Sequence, residues 1–275
     1  MIMEIGMRLV VKVGGSILRE GAPDVNLIND VKAVASKHGL VLVHGGGDEV
    51  TAVASRLGKK QVFITSPEGF RSRYTDRETL EIYVMVIAGK INKETVAVLR
   101  GFSVNALGLS GVDGALLKAE RKRRLVTIDE SGRKRVIDGG YTGRIISVNA
   151  DLLNTIMDKG YVPVVAPLAV SEENEVLNVD GDRAAASIAT ALKADSLVFL
   201  TDVPGLLIDG MLVPRLSLEE AEESLKAIGP GMVTKVYAAA EAVRMGVKET
   251  IIASGLENEP ITSAITLKKG TTITA

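Results

Sequence analysis

The stretch Arg8-Leu9-Val10-Val11-Lys12-Val13-Gly14-Gly15 reads as a strand that ends abruptly in two glycines. Its aliphatic run is continuous rather than alternating, as a strand covered on both faces requires. The pattern returns at Leu40-Val41-Leu42-Val43, which ends in His44-Gly45-Gly46-Gly47. Between the two, Val25, Ile28, Val31 and Val34 recur at helical spacing. Buried strand, amphipathic helix, buried strand is a βαβ unit. Such units build parallel sheets with helices on both faces.

The alternation continues along the chain. A third short strand is expected over 61–65, and further strands over 103–106, 161–165, 196–201 and 249–253. Helical patterns fall at 48–57, 76–100, 149–159, 182–193, 217–227 and 232–246. One segment differs. Residues 116–137 read as a hairpin around Asp129-Glu130-Ser131-Gly132, and the region 118–144 carries nine Lys/Arg against four Asp/Glu. That is +5 within a chain of net charge −1. It is either a solvated edge protected from aggregation or a docking surface for an acidic partner.

Composition excludes several functions. With no cysteine and only His38 and His44, thiolate chemistry and Cys- or His-rich metal sites are out. Aromatic residues at 3% and a near-neutral charge argue against nucleic-acid binding. The start of the chain, interrupted by Glu4 and Lys12, does not read as a signal peptide. The longest uncharged stretches, such as 160–171, fall short of the roughly 20 residues that span a bilayer. A cytoplasmic location is the expectation.

Ligands of an open parallel sheet lie beyond the carboxyl ends of its strands. Gly14-Gly15 and Gly45-Gly46-Gly47 stand there. They either shape tight turns or let backbone N–H groups approach a phosphate. No GxxxxGK[ST] occurs, and no GxGxxG follows the first strand. Lys12 places an ammonium at the end of an apolar strand. In Gly229-Pro230-Gly231-Met232-Val233-Thr234-Lys235, a lysine sits in the first turn of a helix, where the dipole disfavours it. Each lysine is either solvated or compensated by an anion. Asp182, in Asn178-Val179-Asp180-Gly181-Asp182, is either a helix N-cap or the group that holds both lysines.

These motifs, with Thr201-Asp202-Val203-Pro204-Gly205, stand in the order found in the amino acid kinase family, and the chain resembles acetylglutamate kinase-like members over its whole length. The resemblance implies a three-layer αβα sandwich with a mainly parallel sheet and two lobes. Residues 1–172 would bind the acidic substrate and form a homodimer, and residues 173–275 would bind ATP. It implies that Lys12 and Lys235 stabilise the transferring phosphoryl group and that Asp182 organises them. Gly45, Gly46 and Gly47, with Arg73 and Asn178, would hold the substrate. Gly14, Gly15, Thr201, Asp202, Gly205, Gly231 and Met232 would hold phosphate and nucleotide. Mg²⁺ would arrive on the nucleotide, with no ligand from protein side chains.

Three departures from typical acetylglutamate kinases resemble the branch whose substrate is carried on an acidic amino-group carrier protein. They are Asp48 after the glycines, the loop Ser72-Arg73-Tyr74-Thr75-Asp76, and the basic glycine-rich run 134–144. In that branch the substrate amine is masked by the carrier's C-terminal glutamate rather than by acetyl. Lys118, Arg121, Arg133, Lys134, Arg135 and Arg144 would then dock the carrier. About seven residues precede the first strand, so the N-terminal helix of arginine-inhibited hexamers is not expected. The alternatives are a kinase of free N-acetylglutamate and a non-catalytic nucleotide-binding module. Aminoadipate and glutamate differ by one methylene, and sequence does not separate them.

Overall fold

Eight strands form the central sheet in the computed structural model, which describes residues 6–18, 23–129, 131–229 and 231–275. Their order is Arg215–Ser217, Thr271–Thr274, Glu249–Ser254, Ser196–Thr201, Arg8–Val13, Gly39–His44, Val162–Ala166, Ala106–Ser110. Every neighbouring pair is parallel except Glu249–Ser254 with Thr271–Thr274.

Both faces are covered. Leu9, Val11 and Val13 point into one apolar cluster with the helices Val25–Ala35, Gly47–Arg56 and Pro260–Leu267. Val10 points into the other with Gly181–Ala191 and Met232–Arg244. Lys12 shares the face of Val10 but lies one step nearer the carboxyl end, where the core opens. This is the three-layer arrangement expected. The first strand runs on toward Gly39–His44 on one side, whereas Ser196–Thr201 runs on toward Glu249–Ser254 on the other. The crevice between them is therefore the switch point of the sheet. Among the described residues, no helix is long and apolar enough to cross a membrane.

The long helical pattern at 76–100 resolves into Arg77–Val84, a π-helical stretch Met85–Ile91 and Asn92–Gly101. The short strand Phe63–Thr65 stands apart from the central sheet and pairs with Arg71–Arg73 as a two-stranded ribbon.

The basic region differs from the single hairpin read over 116–137. Leu117 and Ala119 are buried, so Leu117–Arg121 turns toward the core and pairs with Gly143–Val148 in a separate four-stranded sheet. The hairpin proper is Arg124–Ile128 with Lys134–Asp138. The chain crosses itself at Gly139, where a Cβ would stand 1.4 Å from the Lys122 carbonyl oxygen, so only glycine fits. Asp129 holds the turn by accepting from the N–H groups of Ser131 and Arg133, both at 3.0 Å. Glu130 lies outside the described residues.

The helix Pro260–Leu267 has no side-chain cap of its own, and Glu259 before it adopts φ +52°. Asp30, from the opposite end of the sequence, accepts from the N–H groups of Ile261 at 2.6 Å and Thr262 at 3.0 Å. Asp30→Ala would leave buried donors unpaired and should cost roughly 3 kcal/mol in urea unfolding; an effect under about 0.5 kcal/mol, the size of an ordinary surface substitution, would refute this capping role.

Candidate active site

A cleft of about 1260 Å³ opens at the switch point. The two glycine turns form its floor, back to back. A Cβ on Gly15 would lie 3.0 Å from the Gly46 nitrogen, and one on Gly45 3.0 Å from the Gly15 nitrogen. Gly46 has φ +141°, and a Cβ there would come within 2.1 Å of Ile91 Cδ1. The N–H groups of Gly14 and Gly45 are spent on Leu200 and Val13 carbonyls, both at 2.9 Å. Those of Gly15 and Gly46 donate to nothing among the described residues and are free to meet an anion.

Above the turns, one carboxylate faces two ammonium groups. Lys12 Nζ lies 2.8 Å from Asp182 Oδ1, an ion pair without hydrogen-bond alignment. Lys235 Nζ donates to Asp182 Oδ2 at 3.2 Å. Burial works to raise the Asp182 pKa, but the charges of Lys12 and Lys235 outweigh it and hold the carboxyl below its usual value. The cap of the helix Gly181–Ala191 is Asp180, which accepts from Arg183 N at 2.9 Å. Asp182 is therefore not the cap, and its side chain is left to the lysines. Gly181 lies beside Lys12, where a Cβ would meet Lys12 Cε at an ordinary contact distance of 3.6 Å.

On the other wall, Arg73 is buried and its donors are directed. Nη2 reaches Gly47 O at 2.7 Å and Thr51 Oγ1 at 2.9 Å, and Nη1 reaches Gln61 Oε1. No carboxylate pairs with Arg73 among the described residues, and burial lowers its pKa. Asn178 donates to Thr75 Oγ1 at 2.9 Å and lines the same cleft. Thr201 and Asp202 line the opposite side and are joined at 3.1 Å, with Gly231 and Met232 beside them. Pro230 lies outside the described residues. Gly205 does not reach the cleft. At φ +155° its missing side chain clears Leu212 and Thr271, and it serves packing instead.

The residues expected to dock a partner divide. Lys118, Arg133, Lys134, Arg135 and Arg144 are exposed, though Arg133 and Arg135 lean on Asp129, and Arg144 on Glu120. Arg121 turns inward: it donates to Gly140 O and pairs with Glu175, both at 2.6 Å, and stacks over Tyr141. It is not an available surface cation. Among the described residues, no cluster of three or more His, Cys, Asp or Glu is placed to hold a metal ion.

Three groups had no clear sequence signal. His44 lies beneath the glycines, 1% exposed, and its ring nitrogens meet Gly45 O at 2.9 Å and Asn92 Nδ2 at 3.1 Å. Asn92 follows the π-helical stretch, whose extra residue per turn aims it at the sheet. It also donates to Val164 O at 2.9 Å, and its own Oδ1 accepts from Lys93 at 2.9 Å. Lys122 lines the cleft as well.

Residues 7–254 match the amino acid kinase family. A protein of Saccharolobus islandicus (strain L.S.2.15 / Lassen #1) is 48% identical across 96% of this chain and 98% of its own, and is named LysW-aminoadipate/LysW-glutamate kinase. One of Cenarchaeum symbiosum (strain A) carries that name provisionally at 55% identity, again across 96% and 98%. Of solved structures, N-acetylglutamate synthase from Neisseria gonorrhoeae, with coenzyme A and N-acetyl-glutamate, superposes with a TM-score of 0.80 at 25% identity. The match covers 98% of this chain and 60% of that longer one.

Burial lowers the His44 pKa from 6.5 to about 4. The ring is neutral at pH 7, donating from Nδ1 to Gly45 O and accepting at Nε2 from Asn92. Between about pH 4 and 6.5 the unfolded chain binds a proton that the folded chain refuses. Stability therefore rises with pH through that window, and roughly 3 kcal/mol is lost as pH falls across it. Urea midpoints at pH 4.5, 5.5 and 6.5 should show this slope in the wild type and a flatter one in His44→Gln; equal slopes would contradict the assignment.

Proposed function

The chain belongs to the amino acid kinase family, and on that premise we propose that it phosphorylates the side-chain carboxylate of 2-aminoadipate or glutamate borne on an amino-group carrier protein. A carboxylate oxygen attacks the γ-phosphorus of ATP, and the bond from that phosphorus to the β-phosphate bridging oxygen breaks. An acyl phosphate and ADP result. The nucleophile is already ionised at pH 7, so no general base is required. Such a reaction depends on positioning and on neutralising charge around the transferred group.

The observation that carries this reading is Asp182 holding Lys12 and Lys235 above free glycine N–H groups. In this proposal the two lysines flank the phosphoryl group, and Gly15 and Gly46 N–H meet its oxygens. Residues 1–172 receive the amino acid, with Arg73 on its α-carboxylate and Asn178 reaching in to the same group from the second half, and residues 173–275 otherwise receive ATP along Thr201, Asp202, Gly231 and Met232. Mg²⁺ comes in on the nucleotide phosphates and adds neutralising charge. The carrier, an acidic protein, approaches over Lys118, Lys134 and Arg144 and the hairpin arginines. The names of the relatives support this substrate. The product suits lysine or arginine biosynthesis in the cytoplasm.

We infer a homodimer. Ala106–Ser110 is an open sheet edge, and Met85 and Phe102 are exposed on the neighbouring helical segment. Light scattering should give twice the chain mass, about 58 kDa from the 29.1 kDa chain; a monomer at micromolar concentration would exclude it.

The central test is acyl-phosphate formation trapped with hydroxylamine. Turnover is expected on the carrier-linked substrate, weakened by salt, and not on free N-acetylglutamate; efficient use of N-acetylglutamate would instead make this a kinase of the free compound. Asp182→Asn should lower kcat by on the order of 10²–10³-fold. A wild type with no turnover on any of these substrates would point to a non-catalytic nucleotide-binding module.

A further inference from the structure

Lys122 is a cation of the cleft that phosphoryl transfer does not use. It lies just past the strand Leu117–Arg121, half-buried, and lines the cleft. Its N–H donates to Thr142 O at 2.8 Å, and Thr142 is bridged to Asn178. Lys122 thus stands one residue removed from the side chain placed on the amino acid's α-carboxylate. The position is a built one, because the crossing at Gly139 presses the Lys122 backbone into place.

The ammonium has no ion pair or hydrogen bond among the described residues. The charges around it are Arg183, Asp180 and Arg144. Asp180 is engaged as the helix cap, Arg144 pairs with Glu120, and Arg183 lies 4.7 Å from the Tyr237 ring centroid and 5.9 Å from that of Phe70. Burial, and then Arg183, lower the Lys122 pKa. A half-buried ammonium facing a cleft with no partner is completed by an anion from the ligand. The other cations there differ. Lys12 and Lys235 share Asp182, Arg73 serves the amino acid, and Arg71 and Arg124 are exposed and hydrated.

The substrate can supply that anion. A C-terminal glutamate has two carboxyl groups. Joining one to the amine of the amino acid as an amide leaves the other ionised, a few bonds from the new linkage. An acetyl mask leaves none. We propose that Lys122 receives this remaining carboxylate and so selects a glutamyl-masked over an acetyl-masked substrate. The inference rests on the carrier-linked reading above.

The test uses the full chain with two synthetic substrates. Both are aminoadipate whose amine is acylated by glutamate; in one the remaining glutamate carboxyl is free, and in the other it is a carboxamide. Wild type should prefer the free acid by about tenfold or more in kcat/KM, the size of a lost charged hydrogen bond. Lys122→Met should erase that preference by raising KM for the free acid, with kcat and KM for ATP little changed and the melting temperature preserved. Lys122→Arg should retain most of the preference. If Lys122→Met keeps the preference, or loses kcat equally on both compounds, the inference fails while the carrier-linked reading stands. If wild type uses neither compound but uses N-acetylglutamate, both fail together.

Discussion

A single buried carboxylate shared by two lysines is the constraint around which this protein is arranged. Lys12 comes from the centre of the sheet, Asp182 from the helix Gly181–Ala191, and Lys235 from the helix Met232–Arg244. Removing Asp182 would leave two ammonium groups facing each other uncompensated inside the protein, whereas removing either lysine would leave a neutral pair without the positive excess. One local feature serves this arrangement. Asp180 takes over the cap so that Asp182 is free to hold the lysines. Two ammonium groups against one carboxylate leave one positive charge in excess, and that excess faces the free N–H groups of Gly15 and Gly46.

The floor beneath that site is equally specified. Ile87 and Ile91 press up under Gly46, and His44 under Gly45, so the glycine turns are held from below while remaining bare above. The π-helical stretch Met85–Ile91 makes this possible. It rotates Asn92 inward to hold a histidine that burial keeps neutral. A charged imidazole there would need desolvation and would repel Lys12. On the opposite wall Arg73 donates to oxygens of Gly47, Thr51 and Gln61, and no carboxylate among the described residues neutralises its charge.

The chain alone determined the sheet, because strands covered on both faces need unbroken aliphatic runs, and 8–13, 40–43 and 196–201 have them. It also marked Lys12, Asp182 and Lys235, since an ammonium in an apolar strand, or at a helix start, demands an explanation. Tertiary structure decided between readings that local pattern leaves equal. Asp180 and Asp182 are both chemically fit to cap a helix, and only the position of the lysines separates them. Leu117–Arg121 looked like half of a basic hairpin, but the burial of Leu117 and Ala119 pulled it into another sheet and turned Arg121 onto Tyr141. His44, Asn92 and Lys122 carry no sequence signature because their partners are 48, 72 and 20 residues away. Propensity and spacing act within a few residues; the balance of buried charge is struck across the whole fold, and it is that balance which makes this cleft a site.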